Sequence, residues 1–328
     1  MRRREFIGLL GASAATWPVT ARAQQPQRMR RVSVLLGVPE NDAETKSRVK
    51  RFAWACVMRV GSKGGMFRSS IGGTDPEAIK KHIAELIPLA PDVILANTSP
   101  IVALLRSATK TIPIVFVVVN DPVGQGFIPN LAHPGGNVTG FSFIEPEIVG
   151  KWINLLSDVK PDLSRVALMY NPDIAAYYDA YLRAFKALPR QSRVEVDAGP
   201  VRSAAEIEQA IAKVARDEHS GLIVAADPYI VAMREVILKS AEKHRVLLLA
   251  PYRQFAVDGG LVSYGPDAAD IFRRSSSYVD RILKGELPGN LPAQSPDKFE
   301  LVVNLRRAKA LGLSIREPFL QLADEVIE

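Results

Sequence analysis

The chain has 328 residues, 47% of them apolar and 23% charged, with a net charge of +7 and one cysteine, Cys56. That is enough for two domains of about 150 residues each, and a lone cysteine excludes an intramolecular disulfide and a cysteine-based zinc site. The positive charge is spread without a long Lys/Arg block, which argues against nucleic acid as a partner.

Residues 1–23 are set aside before any fold argument. They combine a basic start, an apolar stretch from Phe6 to Trp17, and Ala21 and Ala23 in an A-x-A cleavage pattern, the composition of an export signal. Arg3 and Arg4 ahead of Phe6 and Ile7 match the twin-arginine pattern, with a general secretory signal as the alternative. Cleavage after Ala23 would remove four arginines and one glutamate, lowering the net charge to +4. It would leave Gln24 first, with no cysteine there to carry a lipid. The expected product is soluble and free in the periplasm, or secreted.

From Arg31 onward, short apolar runs alternate with helical patterns, the signature of βαβ units and a parallel sheet buried on both faces. The expected strands cover 31–36, 92–96, 113–119, 164–170, 193–197, 221–225, 246–250 and 260–264, with a late one at 300–304. Asp75 before Pro76 opens a helix with Ile79, Ile83, Leu86 and Ile87 on one stripe. Ser203 and Glu206 form a capping box ahead of Ile207, Ala210, Ile211 and Val214. Interruptions rich in Gly and Pro at 133–147 and after Tyr264 divide the alternation into two α/β lobes.

Five apolar runs end alike, in a small polar residue or glycine and then proline: "VILANTSP", "VFVVVNDPVG", "VALMYNPD", "LIVAADPY" and "LVSYGPD". In open parallel sheets the ligand crevice lies beyond the carboxyl ends of the strands, where helix N-termini present free N–H groups. Asn97, Thr98, Ser99, Asn120 and Asp121 are therefore expected to face a crevice from the first lobe. Asn171, Asp173, Asp227 and Tyr229 are expected to face it from the second, with Tyr170, Tyr252 and Tyr264 as aromatic surface near the same edge. The competing reading of each site is a turn former or helix cap, and of each tyrosine a satisfied core residue. No catalytic motif stands out: the four histidines lack metal-ligand spacing, and the hydrolase elbow, the P-loop and the dinucleotide fingerprint are absent. No catalytic residue, metal or cofactor is expected.

The words "LAPDVILAN", "TIPIVFV", "DPVGQGF", "LAHPGGNVTGF", "GLIVAADP", "GGLVSYGPD", "YVDRILKGE" and "LPAQSPDKFELVVNLRRAKALGL" carry a resemblance over most of the chain. The sequence resembles the ABC transporter substrate-binding proteins that include tryptophan- and tyrosine-binding members. That resemblance implies a type I periplasmic binding protein architecture, two doubly wound Rossmann-like lobes with parallel sheets, crossed three times by the chain. With the interruptions above, lobe 1 would hold residues 28–141 plus 266–290, and lobe 2 residues 142–265 plus 291–328. It also implies a small-molecule ligand, a monomer, and an ABC permease of the inner membrane as partner. Thr98, Ser99, Asn120, Asn171 and Asp227 stand at positions that commonly touch ligand in that fold. An amino acid, with an aromatic one favoured, would put its ammonium on Asp227 and its carboxylate near Thr98, Ser99 and a helix N-terminus. An exported enzyme and a ligand-sensing receptor core remain as alternatives.

One stretch departs from the resemblance. Residues 51–73, "RFAWACVMRVGSKGGMFRSSIGG", show neither a clean helical stripe nor strand alternation, as a local frameshift or divergence would produce, and are expected to be the least regular part of lobe 1.

Overall fold

The apolar runs become the inner strands of two sheets in the computed structural model, which describes residues 30–38, 42–60, 65–71, 75–175, 177–188 and 194–328, with the backbone alone at 60 and 65–71. The leader, with its arginine pair and cleavage site, falls outside those residues. In chain order the elements are β1 (Arg30–Leu36), α1 (Ala43–Val60), β2 (Gly65–Ile71), α2 (Pro76–Leu86), β3 (Val93–Asn97), α3 (Ser99–Ala108), β4 (Ile114–Val119) and β5 (Val138–Ser142). Then come α4 (Ile148–Val159), β6 (Arg165–Tyr170), α5 (Tyr178–Ala187), β7 (Glu195–Pro200), α6 (Ala204–Val214), β8 (Ser220–Val224), α7 (Pro228–Ala232), α8 (Arg234–Lys243) and β9 (Leu248–Ala250). The chain closes with α9 (Arg253–Val257), β10 (Val262–Pro266), α10 (Ala268–Leu283), β11 (Phe299–Asn304), α11 (Leu305–Leu311), α12 (Glu317–Leu320) and β12 (Glu325–Ile327).

The first sheet runs β2-β1-β3-β4-β5, parallel throughout. The second runs β12-β11-β10-β9-β8-β6-β7 and is parallel except for the β10–β11 pair. Strands β3, β4 and β8 are buried along their whole length, as continuous apolar runs covered by helices on both faces require. After β5 the chain passes into α4 of the second lobe. After β10 it returns, because α10 packs on α1 and on β4, with Tyr278 against Phe141 at 4.8 Å. Residues 291–294 then follow the edge of the first sheet, where Thr139 Oγ1 donates to Leu291 O and Ser142 N to Gln294 O, before β11 joins the second sheet.

The helix starts follow the local chemistry. Asp75 accepts from the N–H groups of Glu77 and Ala78, and Ser203 Oγ accepts from Glu206 N at 3.2 Å. The Glu206 carboxylate reaches back to Arg202 N, one residue earlier than an ideal capping box.

Three strands differ from expectation. Residues 51–60 continue α1, and 65–71 form β2, paired with β1 from Arg30↔Gly65 to Leu36↔Ile71. Their irregular look has a physical source. The inner face of α1 here is narrow, with Phe52, Ala55 and Cys56 buried, while Trp54, at 65% exposed, Val57 and Met58 point outward. β5 occupies the Gly-rich stretch that reads as an interruption. At Gly140 a Cβ would stand 2.1 Å from Phe116 O, so the close β4–β5 pairing needs glycine there. β12 is too short to carry an alternation of its own.

Candidate functional site

The carboxyl ends of β3 and β4 supply the first lobe's polar groups. Asn97 closes β3, and Thr98 follows with φ +80°, a left-handed backbone that is costly for a β-branched residue. Ser99 then starts α3, with Pro100 in its first turn. Gly37, just past β1, makes room for this turn, since a Cβ there would lie 2.4 Å from Thr98 Oγ1. Asn120 and Asp121 close β4, Asp121 again with positive φ, +40°. Its Oδ1 accepts from Gly124 N at 2.8 Å, three residues on, and Pro122 sits in a turn and opens no helix. Pro172 behaves likewise, with Asn171 Oδ1 accepting from Asp173 N. Of the five strand-ending prolines, Pro100 and Pro228 lie in the first turn of a helix. Pro266 is the last residue of β10, and Asp267 caps α10 after it.

The two lobes meet at these ends. Asn120 Nδ2 donates to Ala226 O at 2.8 Å across the interface, and Tyr177 Oη donates to the same carbonyl at 3.0 Å. Gln125 Nε2 bridges Ser99 Oγ, at 2.9 Å, and Asn120 O. Asn97 Oδ1, Thr98 Oγ1 and Asn120 Oδ1 are enclosed without a hydrogen-bond partner among the described residues, as is Glu145 Oε1. Buried polar atoms are nearly always paired, so such a cluster calls for a partner from outside the chain.

Asp227 takes the position of the competing reading, a helix cap. It is fully buried as the N-cap of α7, with Oδ1 accepting from Ile230 N at 2.7 Å and Oδ2 from Asn171 N at 3.1 Å. Burial pushes its carboxyl up to about 7, against the pull of the backbone N–H groups of Ile230, Asn171 and Tyr229. Both oxygens are therefore engaged by the protein itself, and Asn171 is tied into the same cap.

The expected tyrosines separate. Tyr170 stacks on Tyr178, with Asp179 and Arg202 nearby, and burial raises its phenol. Tyr264 stacks on Phe299 at 5.6 Å and lies under Lys151, while its carbonyl accepts from Trp152 Nε1. Tyr229 encloses its hydroxyl without a partner and feels Glu206 and Asp227. None of these three rings joins the Asn97–Asn120 cluster through a hydrogen bond or ring stacking among the described residues. Tyr252, also expected at this edge, does come to the interface, and Tyr181 and Tyr177 join it there. Tyr252 stacks on Phe143 at 5.0 Å, Tyr181 Oη donates to Ile144 O at 3.3 Å, and Tyr177 is tilted against Tyr181 at 5.5 Å. Tyr177 and Tyr181 stand in "AAYYDAYLRAF", whose aromatic spacing reads as ordinary helix core. Glu145 and Gln125 carry no sequence signal at all. Among the described residues no group of three or more His, Cys, Asp and Glu is placed to hold a metal.

A two-lobed α/β scaffold with unpaired polar atoms where the lobes meet is the geometry of a protein that encloses a small molecule. The sequence profile described as ABC transporter substrate binding protein matches residues 66–327. The chain belongs to the ABC transporter substrate-binding protein family. It is similar to a tyrosine-binding protein of Clostridioides difficile (strain R20291), at 25% identity over 68% of this chain and 63% of that relative. The chain thus spans 63% of the length of the curated relative it matches. Among solved structures, the ABC domain in complex with L-Trp from Streptococcus pneumoniae aligns at TM-score 0.82 with 22% identity, covering 91% of this chain and 100% of the other. A conserved domain protein of Vibrio cholerae aligns at TM-score 0.81 with 24% identity, over the same shares. These likenesses show the type I periplasmic binding protein fold. No helix among the described residues is long and apolar enough to cross a membrane.

Proposed function

We propose that this family member is the periplasmic substrate-binding component of an ABC importer. It is exported with its leader, cut after Ala23, and acts as a monomer without catalytic activity. It encloses one small polar ligand between the lobes and hands it to a permease in the inner membrane. An amino acid is the ligand class, and an aromatic one the first to test. The observation that carries the reading is the set of enclosed, unpartnered polar atoms at Asn97, Thr98 and Asn120, placed where the two lobes touch. The relatives named for tyrosine and solved with L-Trp support the aromatic choice. A thermal-shift screen of residues 24–328 against amino acids and aromatic acids tests it. Stabilisation by L-tyrosine or L-tryptophan is expected, and stabilisation only by compounds of another class would refute the aromatic assignment.

A further inference from the structure

Glu145 lies on the passage from β5 to α4, between the lobes. Its Oε1 is enclosed with no hydrogen-bond partner, and among the described residues no lysine, arginine or histidine forms an ion pair with it. Its nearest charges are of its own sign. Burial raises the carboxyl above the ordinary carboxylate range, and Asp121 and Glu147 add to the rise, with the Ser142 hydroxyl pulling the other way. An enclosed carboxylate oxygen without a counter-charge is unfavourable for the protein alone.

The surroundings suit a cation. Tyr181, whose hydroxyl is bonded to Ile144 O beside Glu145, feels both Glu145 and Asp121. Tyr252 stacks on Phe143, two residues before Glu145, and also acts on Tyr181. Aromatic faces next to a carboxylate attract a protonated amine through their quadrupoles as well as its charge. Two of the neighbouring unpartnered atoms, Asn97 Oδ1 and Asn120 Oδ1, are acceptors and nine-tenths or more buried, so what completes them must bring N–H or O–H donors. Asp227 differs in that each of its oxygens already accepts a backbone N–H.

We propose that Glu145 is the counter-charge for the cationic group of the ligand, a protonated amine seated beside the rings of Phe143, Tyr181 and Tyr252. The assignment rests on the interlobe region being the ligand site. It shifts the charge-recognition role from Asp227 to the crossing segment itself, so that the bound cation contacts the element about which the lobes move.

The test uses the mature protein and its Glu145→Gln and Asp227→Asn variants. Each is titrated with L-tyrosine, L-tryptophan, tyramine and 3-(4-hydroxyphenyl)propanoate, and each is melted without ligand. Glu145→Gln is expected to weaken the three amines about 10- to 100-fold, the range of one charge-assisted hydrogen bond, and to leave the unliganded melting temperature unchanged or higher. Asp227→Asn is expected to lower that temperature. Amine affinity within threefold of the wild type in Glu145→Gln, or a fall in its unliganded melting temperature as large as that of Asp227→Asn, would overturn the proposal. If neither aromatic amino acid binds the wild type, the aromatic assignment fails on its own, and the same variants are compared on L-leucine, L-arginine and putrescine. Affinity of Glu145→Gln within threefold of the wild type for whichever of these amines binds would then overturn the role of Glu145.

Discussion

Asp227 shows how a side chain that reads as a ligand contact in the sequence serves as a helix cap in the fold. The pattern Asp-Pro after an apolar strand is shared by ligand-binding loops and by helix caps. Here Asp227 caps α7 and also holds Asn171 N, which ties the ends of β8 and β6 together. Asp227→Ala should therefore lower the stability of the unliganded protein by about 1 kcal/mol or more, with the lost bond to Asn171 adding to the loss of the cap. Chemical denaturation of the wild type and variant measures this, and equal midpoints would show that the cap is dispensable. The pH dependence has a definite sign. The folded carboxyl titrates at about 7, above its ordinary value of 3.8. Between those values the folded state holds a proton that the unfolded state has released. The stability contributed by Asp227 is thus full below pH 3.8, declines as pH rises towards 7, and is flat above it. Relative to Asp227→Asn, the wild type should lose stability from pH 4.5 to 7.5. A difference that grows over that range would mean that the backbone donors outweigh burial.

At the scale of elements, the expected strands appear whether both faces are covered, as in β3, β4 and β8, or exposed, as in the edge strand β7. β1, β3, β4, β6 and β8 read directly from the apolar runs at 31–36, 92–96, 113–119, 164–170 and 221–225, with ends displaced by a residue or two. β5 was not legible because its tight approach to β4 requires Gly140, and glycine in a sequence signals a break. The second half of α1 was hidden for another reason. Over residues 51–59 burial is confined to Phe52, Ala55 and Cys56, and the exposed Trp54, Val57 and Met58 blur the periodicity on which a helix is recognised. In the candidate site, the strand-end pattern marks Thr98, Ser99 and Asn120, whereas Glu145 and Gln125 reach this region through tertiary packing that no local spacing encodes. Cys56 reports on α1 directly. Burial first, then Asp280, pushes its thiol up to about 12, with Arg59 opposing, so the reactive thiolate is scarce at pH 8. Labelling of Cys56 at pH 8 should be slow in the native protein and fast in denaturant. Rapid native labelling would show that this face of α1 is not packed against α10.

Over the whole molecule, the lobes are joined by more than the crossing segments. Arg234, at the start of α8 in the second lobe, pairs with Asp258 at 2.7 Å and reaches Asp42, just before α1 in the first lobe, at 3.6 Å. Asp42 is only 7% exposed at its side chain and is fixed by accepting from Thr45 N at 2.8 Å. Partly enclosed arginine–carboxylate pairs of this kind are screened less by salt than surface ones. They favour the conformation in which the lobes touch, and a ligand that bridges the lobes benefits from that bias. Arg234→Gln should increase the radius of gyration measured by X-ray scattering and weaken ligand binding about fivefold, equivalent to about 1 kcal/mol. An unchanged radius and affinity would remove Arg234 from the account of closure.

Whether the two lobes enclose one small amine-bearing ligand at the strand ends is decided by a calorimetric titration of residues 24–328 with L-tyrosine and L-tryptophan. The expected result is saturation at one ligand per chain. At about 100 times the dissociation constant, the same ligand should stabilise the fold by roughly 2.7 kcal/mol. Absence of binding by both amino acids, together with equal or tighter binding of their deaminated analogues, would contradict the claim.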